Sequence, residues 1–197
     1  MVKVAWLVPS LIEGSGGHRT ILHNAFYLQE CGYPTTIYLE SGVGLKGKKE
    51  AGDLISRLFG YSFTDVRVGW GEIEPADAVL ATIWYSAKVV RDLVFPCAKL
   101  YFVQDWEAMF NPVGDTYLMA ENSYRYGLIP ITIGNWLCHE IYRRFHVKGG
   151  SFDFCADTSI YFDQKLKRDP LSVAFICQPE KPRRGAMLGI EALGIVK

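Results

Sequence analysis

Residues 2–40, VKVAWLVPSLIEGSGGHRTILHNAFYLQECGYPTTIYLE, decide the fold. Residues 2–8 form a near-continuous apolar run closed by Pro9, the pattern of a strand buried on both faces, as in a parallel sheet. Residues 10–18 are rich in Gly and Ser and read as a loop. Residues 19–31 then place Ile21, Leu22, Ala25, Phe26 and Leu28 at helical spacing, and Gly32 supplies a stop. Residues 35–39 are β-branched and aromatic, a second strand. Strand, Gly-rich loop, helix and strand make a βαβ opening.

Outward from that opening the alternation continues. Residues 42–50, GVGLKGKKE, read as a mobile surface loop, and 51–59 as a short helix. Strands are expected at 63–68, 78–84, 99–103 and 129–133. Helices are expected at 87–93, 115–125 and 136–145. The class is therefore α/β: a Rossmann-like, mostly parallel sheet with helices on both faces. Residues 151–170 break the rhythm and end in the charged DQKLKRDP. A second strand, loop and helix unit follows, with a buried-type strand at 172–177 and a helix at 187–196. This divides the chain into residues 1–162, a linker at 163–171, and residues 172–197.

The 197 residues are 49% hydrophobic and 21% charged, which suits a globular domain. Lys+Arg and Asp+Glu both number 21, so no electrostatic case exists for nucleic acid or an anionic membrane as partner. The five cysteines (Cys31, Cys97, Cys138, Cys155, Cys177) are spread out with no CxxC, which points to a reduced, cytoplasmic setting. No zinc-type spacing occurs. No apolar run is long enough to span a bilayer.

Four stretches could carry chemistry. In EGSGGHR, residues 13–19, glycines between a strand and a helix let a ligand approach the backbone at a helix N-terminus; the alternative is a turn capped by Ser15 or Gly17. The spacing is not GxGxxG, so Glu40 at the end of the second strand does not complete a dinucleotide site. In YFVQDWEAMFNP, residues 101–112, a strand delivers Gln104, Asp105, Trp106 and Glu107 at its carboxyl end, where open parallel sheets bind ligands. An indole and two carboxylates suit a sugar; the alternative is that Asp105 caps a turn and Trp106 packs in the core. In ENSYRYG, residues 121–127, Glu121 either contacts ligand or pairs with Arg125 at i, i+4. In QPEKPRRG, residues 178–185, Lys181, Arg183 and Arg184 before a helix could hold phosphate or form a solvated turn.

Taken in order, these pieces resemble a GT-B glycosyltransferase of family 4. The carriers are the Gly-rich loop after the first strand, FDFCADTSIYF before the linker, and AFICQPEKPRRGAMLGIEAL after it. YFVQDWE and AENSYRYG bring the resemblance nearest to bacterial rhamnosyltransferases of surface polysaccharides. It implies that residues 1–162 are an acceptor-side domain and 172–197 the start of a truncated nucleotide-sugar domain. The implied reaction moves a sugar, with rhamnose the nearest case, from a nucleotide-sugar to a glycan acceptor. The nucleotide-sugar is a substrate, and no cofactor or metal is implied. Asp105 and Glu107 would be catalytic, Gly16, Gly17, His18, Gln104, Trp106 and Glu121 would bind acceptor, and Lys181, Arg183 and Arg184 would bind donor phosphate. A lipid-linked acceptor would bring the chain to the inner face of the membrane, and two copies could pair. Gln178 stands where the family's phosphate-binding Arg is expected, and no Glu-x7-Glu pair occurs, so the chain alone is expected to be inactive. The other class of function left open is a non-catalytic carbohydrate- or partner-binding module.

Overall fold

The computed structural model describes residues 1–42, 45, 47–156, 158–181 and 184–195. The chain divides into two compact units, Met1–Phe154 and Cys155–Lys197.

The first unit opens with β1 (Val4–Val8), α1 (Gly16–Glu30), β2 (Thr35–Leu39), α2 (Lys48–Phe59) and β3 (Asp65–Val68). It continues with β4 (Ala78–Ala81), α3 (Trp84–Arg91), β5 (Ala98–Val103), α4 (Asp115–Asn122), β6 (Ile129–Ile133), α5 (Asn135–Phe145) and β7 (Gly150–Phe152). The strands lie in the order β3-β2-β1-β4-β5-β6-β7 and every pairing is parallel. The direction of winding reverses between β1 and β4, which is where ligands settle in doubly wound sheets.

Side chains alternate along β1 between two cores. Val4, Trp6 and Val8 face α1 and α2, packing with Ile21, Leu22, Ala25, Ala51, Ile55 and Phe59. Ala5 and Leu7 face the other layer, where Ala87 and Val90 of α3, Ala120 of α4, and Leu137 and Ile141 of α5 cover the sheet. Each large aliphatic side chain buried this way contributes roughly 1.5–3 kcal/mol. The expected doubly covered sheet is present, and it is entirely parallel.

Several element ends depart from expectation for local reasons. The Ser86 hydroxyl oxygen accepts the N–H groups of Thr82 and Ile83 at 3.0 and 3.2 Å. That bond ends β4 at Ala81 instead of residue 84 and starts α3 at Trp84 instead of 87. The Ser123 hydroxyl donates to Ala120 O at 2.7 Å, and the tail of α4 tightens into a 3-10 turn at Ser123–Arg125. The expected Glu121–Arg125 pair is lost with that turn. Glu121 instead meets Arg144 at 3.5 Å, and the Arg125 guanidinium lies 4.5 Å from the Phe145 ring centre. The short β7 was not expected. Just before it, at Gly149, the chain passes so close to Pro130 of β6 that a Cβ would clash with the Pro130 carbonyl.

Residues 69–77 cross from β3 to β4 without a helix. The strap is held by Tyr38: Trp70 Nε1 donates to its carbonyl and its hydroxyl accepts from Glu74 N, both at 2.9 Å. At its far end Lys3 N donates to Asp77 Oδ2 at 2.7 Å.

In the second unit α6 spans Ala186–Ile195, close to expectation. The strand expected at 172–177 is not formed. A strand needs a ladder partner, and none is present among the described residues of this unit. Phe175 packs its ring over Gly189 of α6, where a Cβ would come within 2.2 Å of it, while Val173 and Ile176 are exposed. Asp157 of the FCADT segment, Arg183 of the basic loop, and Val43, Gly44 and Lys46 of the expected surface loop lie outside the described residues. No helix among the described residues is long and apolar enough to cross a membrane.

Candidate functional site

The carboxyl ends of β1, β4 and β5 bring two of the sequence candidates together. Gly17 lies in the first turn of α1, just beyond β1, and Gln104 follows β5. A Cβ on Gly17 would stand 3.7 Å from Gln104 Nε2. Nothing lies within 4 Å of the corresponding position on Gly16. The start of α1 is thus open, and its first backbone N–H groups have no intrahelical acceptor.

Ser15 is the N-cap of α1, and His18 explains how it is held. The Ser15 hydroxyl oxygen accepts His18 N at 3.4 Å and lies 2.9 Å from His18 Nδ1. His18 is only 7% exposed and sits beside Phe59. Burial lowers its pKa, opposed by the carbonyls of Pro9 and Ser10. A neutral ring with Nδ1 as acceptor lets Ser15 donate to it while capping the helix. His18 is therefore a support under the glycines, with its ring turned away from solvent.

Beyond β5 the four successive candidates separate. Gln104 and Asp105 are half-buried at the strand end, and Asp105 Oδ1 accepts Trp106 N at 2.8 Å. Trp106 is 2% exposed and cannot offer a face to a sugar. Its ring packs on Tyr124 and Phe145, with centroids 4.9 and 5.9 Å away, and the Arg144 guanidinium lies 4.6 Å from its centre. The apolar mass needed to cover this side of the sheet explains the inward turn.

Glu107 also points inward. It opens a 3-10 turn at Glu107–Phe110, and its Oε2 accepts Trp84 N, the first N–H of α3, at 2.6 Å. Its own N–H donates to the Tyr124 hydroxyl at 3.1 Å, and Tyr101, itself hydrogen-bonded by Ser123, lies beside the carboxyl. Burial pushes the carboxyl up to about 8, against the lowering effect of the Trp84 N–H and the Tyr101 hydroxyl. Burial likewise raises Tyr101 and Tyr124. Glu107 thus ties the β5 loop to the start of α3 from beneath the site. Glu121 lies on α4, paired with Arg144.

Sequence reading placed Glu40 after β2 but missed its partners on the β2 and β4 side of the same edge. Glu40 Oε2 accepts from Ser10 N at 2.9 Å, from the Ser10 hydroxyl at 3.2 Å and from the Tyr85 hydroxyl at 3.1 Å. Tyr85 in turn packs between Trp70 and Trp84, with centroids 5.7 and 5.3 Å away. Burial and the Glu40 carboxylate together raise the Tyr85 hydroxyl's pKa. Trp84 falls at the tail of the strand expected at 78–84, and Tyr85 just beyond it; Ser86, a residue that ends strands by taking their N–H groups, was the available signal.

In the second unit, Lys181 N donates to Gln178 O at 3.0 Å and Arg184 N to Lys181 O at 2.8 Å, two successive turns leading to α6. Both side chains are exposed.

The fold and edge together define a Rossmann-like α/β domain whose switch point brings the open start of α1 beside Gln104. No family model matches the chain, and no solved structure matches it. Among curated proteins it is similar to "O-antigen biosynthesis protein RfbC" of Myxococcus xanthus, 33% identical over 124 residues, or 61% of this chain. The chain spans about a tenth of that relative's length, 10%.

Proposed function

We propose that the chain serves polysaccharide biosynthesis as the acceptor-side part of a glycosyltransferase, moving a sugar such as rhamnose from a nucleotide-sugar to a glycan. The observation that carries this reading is the meeting of Gly17 and Gln104 at the switch point, beside Asp105. The similarity to a protein named for O-antigen biosynthesis supports it.

In this reading the N–H groups of Gly16 and Gly17 and the amide of Gln104 orient the acceptor's hydroxyls. Asp105 takes the proton of the attacking hydroxyl as it bonds to the donor's anomeric carbon. Glu107 acts from below by fixing α3 and the β5 loop. Lys181, Arg183 and Arg184 would bind donor phosphate, as the resemblance implies. The expected test result in the full-length protein is that Asp105→Ala lowers transfer about a hundredfold or more with little change in melting temperature. Parallel loss of fold and activity would sink the assignment. Calorimetry adds a second check: glycan binding with no nucleotide-sugar binding or transfer would make the chain a carbohydrate-binding module.

A further inference from the structure

The helix α2 has two opposed faces. Ala51, Ile55 and Phe59 are buried against the sheet. Glu50, Asp53, Leu54 and Arg57, at i, i+3, i+4 and i+7, fall together on another face. That face looks onto a cleft of about 560 Å³, closed on its far side by Ser10 and Leu11 after β1 and by Gly42 and Leu45 after β2. The volume lies within the range of small-ligand sites.

The cleft wall is braced. Glu40 grips Ser10 through both its N–H and its hydroxyl and is itself held by Tyr85. A Cβ on Gly42 would stand 3.7 Å from the Ser10 hydroxyl oxygen, so the two loops meet there. The cleft therefore shares Ser10 with the Glu40 and Tyr85 contacts and contains none of Gly17, Gln104 or Asp105.

Its chemistry is mixed. Leu11, Leu45 and Leu54 provide apolar surface, while Glu50, Asp53 and Arg57 bring two negative charges and one positive. A phosphate or other anion would face both carboxylates. A neutral pyranose fits better: its C–H face rests on leucine, and its hydroxyls donate to carboxylates and accept from the guanidinium.

We propose that the cleft between α2 and residues Ser10, Leu11, Gly42 and Leu45 is a second saccharide subsite, which takes a neutral sugar residue further along the glycan acceptor. The subsite rests on the glycan-acceptor reading above, yet its residues are separate from those of the switch-point site.

Amide chemical-shift mapping of the 197-residue chain tests it. The probes are methyl glycosides of glucose, galactose and rhamnose and a trisaccharide, maltotriose, with inorganic phosphate as a separate arm. At least one saccharide is expected to move the amides of Ser10, Leu45 and residues 50–57. Asp53→Asn and Arg57→Ala, both exposed, are expected to weaken that binding about fivefold or more while the spectrum stays folded. Cleft shifts without shifts at Gly17 and Gln104 would uphold the subsite and count against the switch-point reading. Shifts only at Gly17 and Gln104 would overturn the subsite and leave that reading standing. Phosphate alone shifting the cleft would overturn its saccharide chemistry, and no shift with any saccharide would overturn both.

Discussion

The chain leaving β1 and the chain leaving β5 start from equivalent places and end as opposites. Both are inner strands, and both reach the same edge of the sheet. After β1 come Gly14, Ser15, Gly16 and Gly17, with room left above the backbone. After β5, Gln104 and Asp105 stay half-buried, Trp106 and Glu107 turn in to become core, and Met109 and Phe110 come back out to the surface. The difference comes from what each segment must cover. A full helix, α1, follows β1 and, together with α2, shields that side of the sheet. After β5 the chain enters a single 3-10 turn, so the loop's own side chains must fill the layer. A strand end is a good address for a site, but the covering load decides which of its residues face a ligand.

The largest test of this contrast is Trp106→Ala. Losing a fully buried indole is expected to cost about 3–5 kcal/mol in denaturant unfolding. A cost under about 1 kcal/mol would show that the β5 loop is not core.

Next comes pH. Folding raises the Glu107 carboxyl from 4.5 to about 8, so the folded state binds the proton more tightly. The stability from this group is complete below about pH 4.5 and is lost as pH rises toward about 8. Glu107→Gln keeps an acceptor for Trp84 N and cannot ionise. It is expected to flatten the stability profile across that window, with a gain on the order of a few kcal/mol at its alkaline end. An unchanged profile would place the titration elsewhere.

At the β1 end the effects are smaller. Ser15→Ala removes the cap of α1 and is expected to cost about 1 kcal/mol. Gly17→Ala is expected to stabilise by about 0.5 kcal/mol, since a methyl fits at ordinary contact distance. The same change is expected to weaken saccharide binding by crowding the helix start. Unaltered binding by Gly17→Ala would mean that the glycines serve only the turn.

The sheet was readable because a strand buried on both faces is apolar throughout, as in β1, and because Gly32, at φ +86°, can take the backbone out of α1. Residues 172–177 have the same apolar pattern and form no strand, since pairing depends on a neighbour that composition does not reveal. The site was half legible. Gln104 and the glycines could be placed by topology alone. The inward turn of Trp106 depended on Tyr124 and Phe145, which are distant in sequence. Glu40 was noticed as an acid after β2, but its partners are 30 and 45 residues away. The α2 face at 50, 53, 54 and 57 was visible as a period; the cleft opposite it required the loops to be in place.

The helix-free strap from β3 to β4 has a consequence in time. The unit from β1 to β3 closes through neighbouring βαβ turns. The other half of the sheet attaches only when β4 finds the open edge of β1, a contact anchored by Lys3 and Asp77 across 74 residues. Long closures of this kind slow folding. The switch point, where the ligand groups meet, is therefore expected to be the seam that zips last on refolding and opens first under load.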